Sequence, residues 1–380
     1  MNTSPSLTEW HRADPKDIAV IIYTGGTTGK PKGVMHSHQS ILSWLGMASK
    51  GYAYDSGRKV IGFNLAHLTG QTTLWMTLLT GGTLIYLESY PAKAEEVATL
   101  IERERVTLLG TVGRLLRDII HLPDLEQRDF RSVKGVTCGG STISMDTLLK
   151  AIDVFPTAGI FNIYSQTECG MIISRLSVKA CVQDNRLDRL QSVGSPSEIS
   201  SLGQKPFSVR IVDEFGQDVA PGDIGEIVVQ GEQVMVGYWN DPDASDRTLR
   251  DDWIYTGDIG RLDEDGYLYL IDRKKDMIIV GGLNVYSVEV EEVIGKHPAV
   301  QEAAIVGVPL AEEGEEVAAA VILKPGHKLD LNELTEYCSN LLAPYKIPTR
   351  FAVVESLPKT SVDKIDKKKI RDIFRRFRLH

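Results

Sequence analysis

Apolar residues along the first two-thirds of the chain fall in short unbroken runs separated by helical spacings. Ile18 to Tyr23 (IAVIIY) is continuous, the pattern of a strand buried on both faces. Ser40 to Ser49 repeats at helical spacing, Thr83 to Leu87 returns to a strand pattern, and Glu95 to Arg105 is an amphipathic helix leading into the strand-like VTLLGTV. FRSVKGVTCGG then runs into a glycine-rich turn, and IFNIY ends at a polar loop. This alternation predicts an α/β region over residues 1–190, with its loops at the carboxyl ends of parallel strands. From about Val193 the texture changes. FSVRIVDEFGQDVAPGDIGEIVVQG alternates by twos around Glu214-Phe215-Gly216 and Pro221-Gly222-Asp223, predicting antiparallel hairpins or a small barrel over residues 191–272. The charged stretch IDRKKD places a further boundary near Asp272 to Asp276, and residues 273–380 read as a smaller α+β domain. There, Ser287 is expected to cap a helix through His297, and Ala303 to Val308 and Val317 to Leu323 are expected strands. Asp330 with Glu333 resembles a capping box before a helix over Leu334 to Leu341 that Pro344 ends.

Composition narrows the class without naming a function. The 380 residues are 42% hydrophobic and 24% charged, with 34 Gly and 16 Pro, which excludes a rod, a coiled coil and a long disordered tail. A formal net charge of −9 argues against broad binding to nucleic acid. The four cysteines form no CxxC pair, so neither a disulfide framework nor a cysteine zinc site is expected. Met1 to Trp10 lacks a basic-then-apolar leader pattern, and the most apolar window, Thr73 to Leu87, is interrupted by Gly81 and Gly82. The expectation is a cytoplasmic protein with no transmembrane segment. Lys367 to His380 carries seven Lys or Arg and one acid, and reads as a solvated terminal helix.

Candidate chemistry concentrates in one loop. After IAVIIY comes YTGGTTGKPKG, residues 23–33, with four glycines, three threonines and two lysines. Glycines allow sharp turns and close backbone approach, and convergent N–H groups with hydroxyl and ammonium donors suit phosphate oxygens. It is not a Walker A loop, because Thr24 and Pro31 stand where that pattern needs Gly and Ser or Thr.

YTGGTTGKPKG resembles the phosphate loop of the adenylate-forming enzymes, the acyl- and aryl-CoA synthetases and their relatives. Further motifs follow in that family's order. Ile163 to Glu168 (IYSQTE) is similar to the YGxTE segment, and GEIVVQGEQVMVGYWNDPDAS and WIYTGDIGRLDEDGYLYLIDRKKDMIIVGGLNVYSVEVEEV resemble the next two blocks. LPKTSVDKIDKKKI resembles the closing LPKTxxGKIxR segment. The chain departs from the pattern at Gly25 (usually Ser), Ser165 (Gly), Ser287 (commonly Pro) and Asp363 (Gly). The resemblance also implies an additional α/β subdomain upstream of the loop. Its absence from this chain leads to the expectation of a homo-oligomer or a partner chain covering that face.

The resemblance implies a truncated large α/β domain with a small antiparallel β subdomain, and a mobile C-terminal α+β lid. It implies activation of a carboxylic acid by ATP and Mg²⁺ to an acyl-adenylate, then transfer to a thiol, CoA first; the alternatives are a carrier protein's phosphopantetheine loaded in trans, or a truncated, weakly active nucleotide-binding member of an assembly. Thr24, Gly26, Thr27, Thr28, Gly29 and Lys32 would hold the β- and γ-phosphates. Thr167 and Glu168 would act with Mg²⁺, Glu168 as its ligand. Tyr164 would stack on adenine beside the backbone of Cys138, Gly139, Gly140 and Ser141. Asp258 would accept the ribose hydroxyls, and Arg273 would reach the ribose or a phosphate. Lys364 would stabilise charge during adenylation, Lys275 takes the hinge position, and Gly281 and Gly282 would face the site for thiol attack. His67 matches a histidine near the thiol channel. The acid would lie against residues 67–73, 111–114 and 139–141. Leu68, Leu74, Trp75, Val112 and Leu115 point to an apolar acyl or aryl group, and no Asp follows His67 to anchor an amino acid's amine.

Overall fold

Strand Ile18–Thr24 pairs antiparallel with Lys32–Ser37, bringing Thr24 opposite Lys32 and Tyr23 opposite Gly33. A computed structural model describes residues 12–25, 31–51, 59–62, 64–88, 91–140, 143–170, 172–200, 207–310, 314–359 and 365–376. The chain divides into two compact units, Met1–Thr256 with Arg261–Tyr269, and Gly257–Gly260 with Leu270–His380. Each unit is built on cores of its own.

In the first unit, the apolar runs form a six-stranded sheet among the described residues. Its order is Thr83–Tyr86, Lys59–Gly62, Leu108–Val112, Gly135–Gly139, Gly159–Ser165, Ile172–Ser177. The first five strands are parallel neighbours and the last is antiparallel. Helix Ala94–Glu104 buries Val97, Ala98, Leu100 and Ile101 in a core shared with Leu109, Leu116, Val136 and Ile160. The i, i+3, i+4 spacing of those four residues is the reason it packs as a helix. A second core gathers Ile22, Val34, Trp44 and Met76 with Tyr164, Ile227 and Tyr238. The hairpin of Ser208–Val212 and Gly225–Gln230 is antiparallel, and the sheet it belongs to has an open strand order. No helix among the described residues is long and apolar enough to cross a membrane.

In the second unit, Val300–Pro309 pairs antiparallel with Glu315–Leu323, and the latter pairs parallel with Arg350–Val353. Alternate residues serve two cores. Ile305, Val317, Ala319 and Val321 face one, while Ala304, Val306, Val308, Ala318 and Ala320 face the other. A sheet buried on both faces reads as a continuous apolar run. Helix Ser287–Gly295 covers the first face through Val290 and Ile294. Helix Lys367–Arg376 covers the second through Ile370 and Phe374, which are 0% and 1% exposed. The basic tail is therefore not a solvated helix. Burying these two side chains contributes about 1.5–3 kcal/mol each.

Two capping expectations are corrected. Helix Leu331–Ser339 is capped by Asp330, whose carboxylate accepts from Asn332 N rather than from Glu333 N. It ends at Asn340, and Pro344 instead opens a separate 3-10 turn, Pro344–Lys346. Ser287 is not a cap. The helix N-cap is Tyr286, and the Ser287 hydroxyl donates to Asp272 Oδ2 at 2.7 Å, to which the Ser287 N–H also donates. Lys367 Nζ donates to the same hydroxyl and pairs with Glu291 Oε1 at 2.9 Å. Burial pushes the Glu291 carboxyl up, opposed by the Lys367 charge.

Proline is compatible with the first residue of a helix, so Ser287→Pro tests these hydrogen bonds and not the backbone. It removes both donors to the buried Asp272 carboxylate. The urea midpoint should fall by the equivalent of about 1–3 kcal/mol, whereas Ser287→Thr, which keeps both donors, should stay near wild type. Equal melting of Ser287→Pro and wild type would contradict the assignment.

Candidate active site

Two of the predicted phosphate-loop residues lie within the antiparallel strand pair. Thr24 ends one strand and Lys32 begins the next, while Gly26, Thr27, Thr28 and Gly29 lie outside the described residues. A Cβ built at Gly25 has no neighbour within 4 Å, so packing does not exclude the serine hydroxyl that is missing there. Gly139 ends the strand Gly135–Gly139, and Gly140 follows with φ of +81°. Ser141 also lies outside the described residues.

Thr167 and Glu168 begin a 3-10 turn at the carboxyl end of strand Gly159–Ser165. Three contacts fix this turn. His36 Nε2 meets the Thr167 carbonyl at 2.9 Å, Met235 N donates to the Glu168 carbonyl at 2.8 Å, and Tyr238 OH donates to Glu168 Oε1 at 2.9 Å. Gly170 closes the turn at φ of +89°, where a Cβ would lie 2.3 Å from the Gln233 carbonyl oxygen. Only glycine satisfies both the backbone angle and that close approach. Strand Gly237–Tyr238 pairs with Lys32–Ser37, and Lys32 Nζ sits 4.6 Å from the Tyr238 ring centroid. Lys32, Tyr238 and Glu168 thus form a connected group.

His36 and Tyr238 were not among the sequence candidates. Tyr238 lies within the GYW string of a recognised block, but nothing in the spacing shows that its hydroxyl meets Glu168. His36 is 0% exposed. Since a carbonyl can only accept, Nε2 carries the proton in its bond to Thr167. Burial lowers the His36 pKa to about 4, partly offset by that bond. Burial, reinforced by the Glu168 charge, pushes the Tyr238 phenol up.

Tyr164 is buried within the second core, 6% exposed. His67 is exposed and serves as the N-cap of helix Leu68–Thr80, where Nδ1 accepts from Thr69 N at 3.3 Å. Several residues expected to line the acid are committed to cores instead. Leu68 and Leu115 are buried at 4% and 5%, and Trp75 stacks with Trp44 at 6.5 Å between ring centroids. Val112 is exposed. The apolar character of these residues is therefore explained by packing and does not by itself define an acyl pocket.

In the second unit, Asp258 is buried and pairs with Arg273 Nε at 3.1 Å. Lys275 has an exposed side chain, but surrounding protein atoms partly desolvate its ammonium and lower its pKa, with repulsion from Arg273 and Arg371 adding to the effect and Asp276 opposing it. Gly281 and Gly282 have φ of +56° and +81° and join the paired strands Ile278–Val280 and Leu283–Val285. Positive φ at both positions is the requirement of a two-residue type I′ hairpin turn. Lys364 lies outside the described residues. The flanking chain is closed by a bridge between Lys359 and Ile365 and a 2.8 Å bond from Asp366 N to the Pro358 carbonyl.

Comparison with known proteins agrees with the motifs. A model described as AMP-binding enzyme matches residues 3–239, and one described as AMP-binding enzyme C-terminal domain matches residues 289–364. The chain is 34% identical over 365 residues to a long-chain-fatty-acid–CoA ligase of Bacillus subtilis, covering 94% of this chain and 62% of that protein. It superposes on the amide bond synthetase McbA from Marinactinospora thermotolerans with a TM-score of 0.82 at 33% identity, covering 96% of this chain and 71% of the other. Another similar structure is O-succinylbenzoate coenzyme A synthetase of Bacillus subtilis in complex with ATP and magnesium, with TM-score 0.82, 29% identity, and 97% and 74% coverage. The chain belongs to the AMP-binding enzyme family. It spans 62% of the length of the curated ligase.

The neutral His36 makes stability pH-dependent. Its folded pKa is about 4 against an ordinary value of 6.5, so the unfolded chain binds more protons between those values. This contribution is full above pH 6.5 and is lost as pH falls through the window toward 4. Within the window the slope is about 1.4 kcal/mol per pH unit. His36→Gln keeps a donor that does not titrate. Urea unfolding of the two proteins at several pH values should show a shallower acid loss for the variant; parallel curves would contradict a buried neutral His36.

Proposed function

We propose that the chain carries out ATP-dependent activation of a carboxylic acid. The acid's oxygen attacks the α-phosphorus, the bond to the bridging oxygen breaks, and acyl-adenylate and pyrophosphate form. A thiol, with CoA as the principal acceptor, then attacks the acyl carbon and releases AMP. The observation that carries this reading is the fixed Thr167–Glu168 turn, linked through Tyr238 to Lys32 at the start of the strand that follows the phosphate-loop sequence.

The residues fit a magnesium nucleotide. No group of three or more His, Cys, Asp or Glu suited to a metal occurs among the described residues. Mg²⁺ needs no such group, being commonly held by one or two carboxylates together with substrate phosphate oxygens. Glu168 would supply the carboxylate, and the ion would neutralise phosphate charge when bound. Lys32, with Thr24, Gly26, Thr27, Thr28 and Gly29, would bind the β- and γ-phosphates. Tyr164 and the backbone of Gly139, Gly140 and Ser141 would take the base. Asp258 would hold the ribose, and Arg273, which pairs with it, would orient that carboxylate or reach a phosphate. Lys364 would stabilise the charge that develops between carboxylate and phosphate.

Identity to a long-chain-fatty-acid–CoA ligase supports an apolar acid and a CoA acceptor. Thioester formation also tests His67, Gly281 and Gly282, while a phosphopantetheine carrier is the alternative acceptor. A partner chain or second copy covering an exposed apolar face is part of the same reading, supported by Leu78 and Leu79 at 72% and 62% exposure.

Pyrophosphate release with Mg·ATP and a panel of fatty and aryl acids, with and without CoA, tests the reading. One acid should stimulate release. Lys364→Ala should lower that step by about 10²–10³-fold, the scale of losing a charge-stabilising group, while leaving thioester formation from supplied acyl-adenylate near wild type. Equal loss in both half-reactions would overturn the role of Lys364, and silence across the panel with ATP still bound would overturn the ligase reading.

A further inference from the structure

We propose that Tyr238 is a positioning residue that aims two groups of the nucleotide site at once, the Glu168 carboxylate through its hydroxyl and the Lys32 ammonium through its ring. The inference rests on the magnesium-nucleotide reading above. It follows from three features of the first unit. Tyr238 OH donates to Glu168 Oε1 at 2.9 Å, so one carboxylate oxygen is held while the other oxygen can face a cation. Lys32 Nζ lies 4.6 Å from the ring centroid, within the distance at which an ammonium is attracted to an aromatic face. Tyr238 itself is 6% exposed, and its strand is paired with the strand that Lys32 begins, Tyr238 standing opposite Val34.

The arrangement joins opposite charges through a neutral side chain. A direct Lys32–Glu168 ion pair would satisfy each charge with the other and reduce what either offers a ligand. With the phenol between them, the carboxylate receives a hydrogen bond and the ammonium receives a π-face, and both keep their charge for phosphate and metal. The main chain supports the same geometry, because Met235 N holds the Glu168 carbonyl three residues before Tyr238.

The two functions of the side chain separate by substitution. Tyr238→Phe removes the hydroxyl and keeps the ring, whereas Tyr238→Leu removes both. Calorimetry gives ATP affinity with Mg²⁺ and in EDTA, without acid or CoA, and the ratio of the two measures how far the ion assists binding. Loss of a hydrogen bond to a metal ligand typically weakens the metal contribution by about 10–100-fold. Tyr238→Phe should lower the ratio by about 10-fold while leaving ATP affinity in EDTA near wild type. Tyr238→Leu should lower the ratio similarly and also weaken ATP in EDTA by several-fold. Thermal melting shows that each variant is folded. A folded Tyr238→Phe protein with the wild-type ratio would overturn the Glu168 assignment, and unchanged EDTA affinity in folded Tyr238→Leu would overturn the Lys32 assignment. If wild type binds ATP without help from Mg²⁺, the magnesium-nucleotide reading and this inference both fall; if wild type shows the dependence and the variants keep it, only the inference does.

Discussion

Under the proposed function, the Glu168 carboxylate must be held still for a cation without being neutralised. In this chain, fixation of the Thr167–Glu168 turn depends on main-chain contacts. The Thr167 carbonyl is tied by His36 and the Glu168 carbonyl by Met235, leaving a phenol as the contact to the acid group. A lysine or arginine in the phenol's place would fix the carboxylate more firmly but would offset the charge it presents. The connected strands Ile18–Thr24, Lys32–Ser37 and Gly237–Tyr238 bring these contacts to the end of the parallel sheet. The requirement at Gly170 has the same origin, since close approach to Gln233 leaves no room for a side chain.

The second unit uses buried polarity differently. Asp272, Ser287, Lys367 and Glu291 join a strand end and two helices through hydrogen bonds and an ion pair. Such a group contributes little net stability when complete, but removing one member leaves the others unsatisfied away from water. Its effect is to define one arrangement of the terminal helix, whose apolar contacts alone would tolerate some sliding. Ser287 is the central member because its one hydroxyl both donates and accepts.

Much of the fold was legible in apolar periodicity. IAVIIY and IFNIY fall on strands, VTLLGTV contains one, and the Glu95 to Arg105 pattern falls on helix Ala94–Glu104. Strand Ile18–Thr24, however, is not buried on both faces as its unbroken apolar run suggested: it lies at the end of a three-stranded antiparallel sheet and buries only Ile22. Composition misled at Lys367 to His380, because charge count hid the four-residue spacing of Ile370 and Phe374, the two side chains that pack. Ser287 looked like a cap because serine is common there; its partner Asp272 is near in space and distant in sequence. The motifs proposed Thr167, Glu168 and Asp258 as site residues. They could not reveal Tyr238 or His36 as supports, since a hydrogen bond across 70 or 131 residues leaves no local periodicity. Leu68, Leu115 and Trp75 illustrate the reverse limit, where an apolar residue near a motif belongs to the core.

The two-faced sheet of the second unit also constrains the order in which the chain can mature. Strands Val300–Pro309 and Glu315–Leu323 are synthesised well before helix Lys367–Arg376, which supplies Ile370 and Phe374 to one of their faces. Until that helix emerges from the ribosome, the Ala304, Val306 and Val308 side of the sheet lacks its cover. The first unit has its own cores and can assemble during translation, whereas the second must delay its final packing or keep that alanine- and valine-lined face shielded by other means. A stalled or prematurely released chain would therefore display a flat apolar surface suited to chaperone capture or self-association.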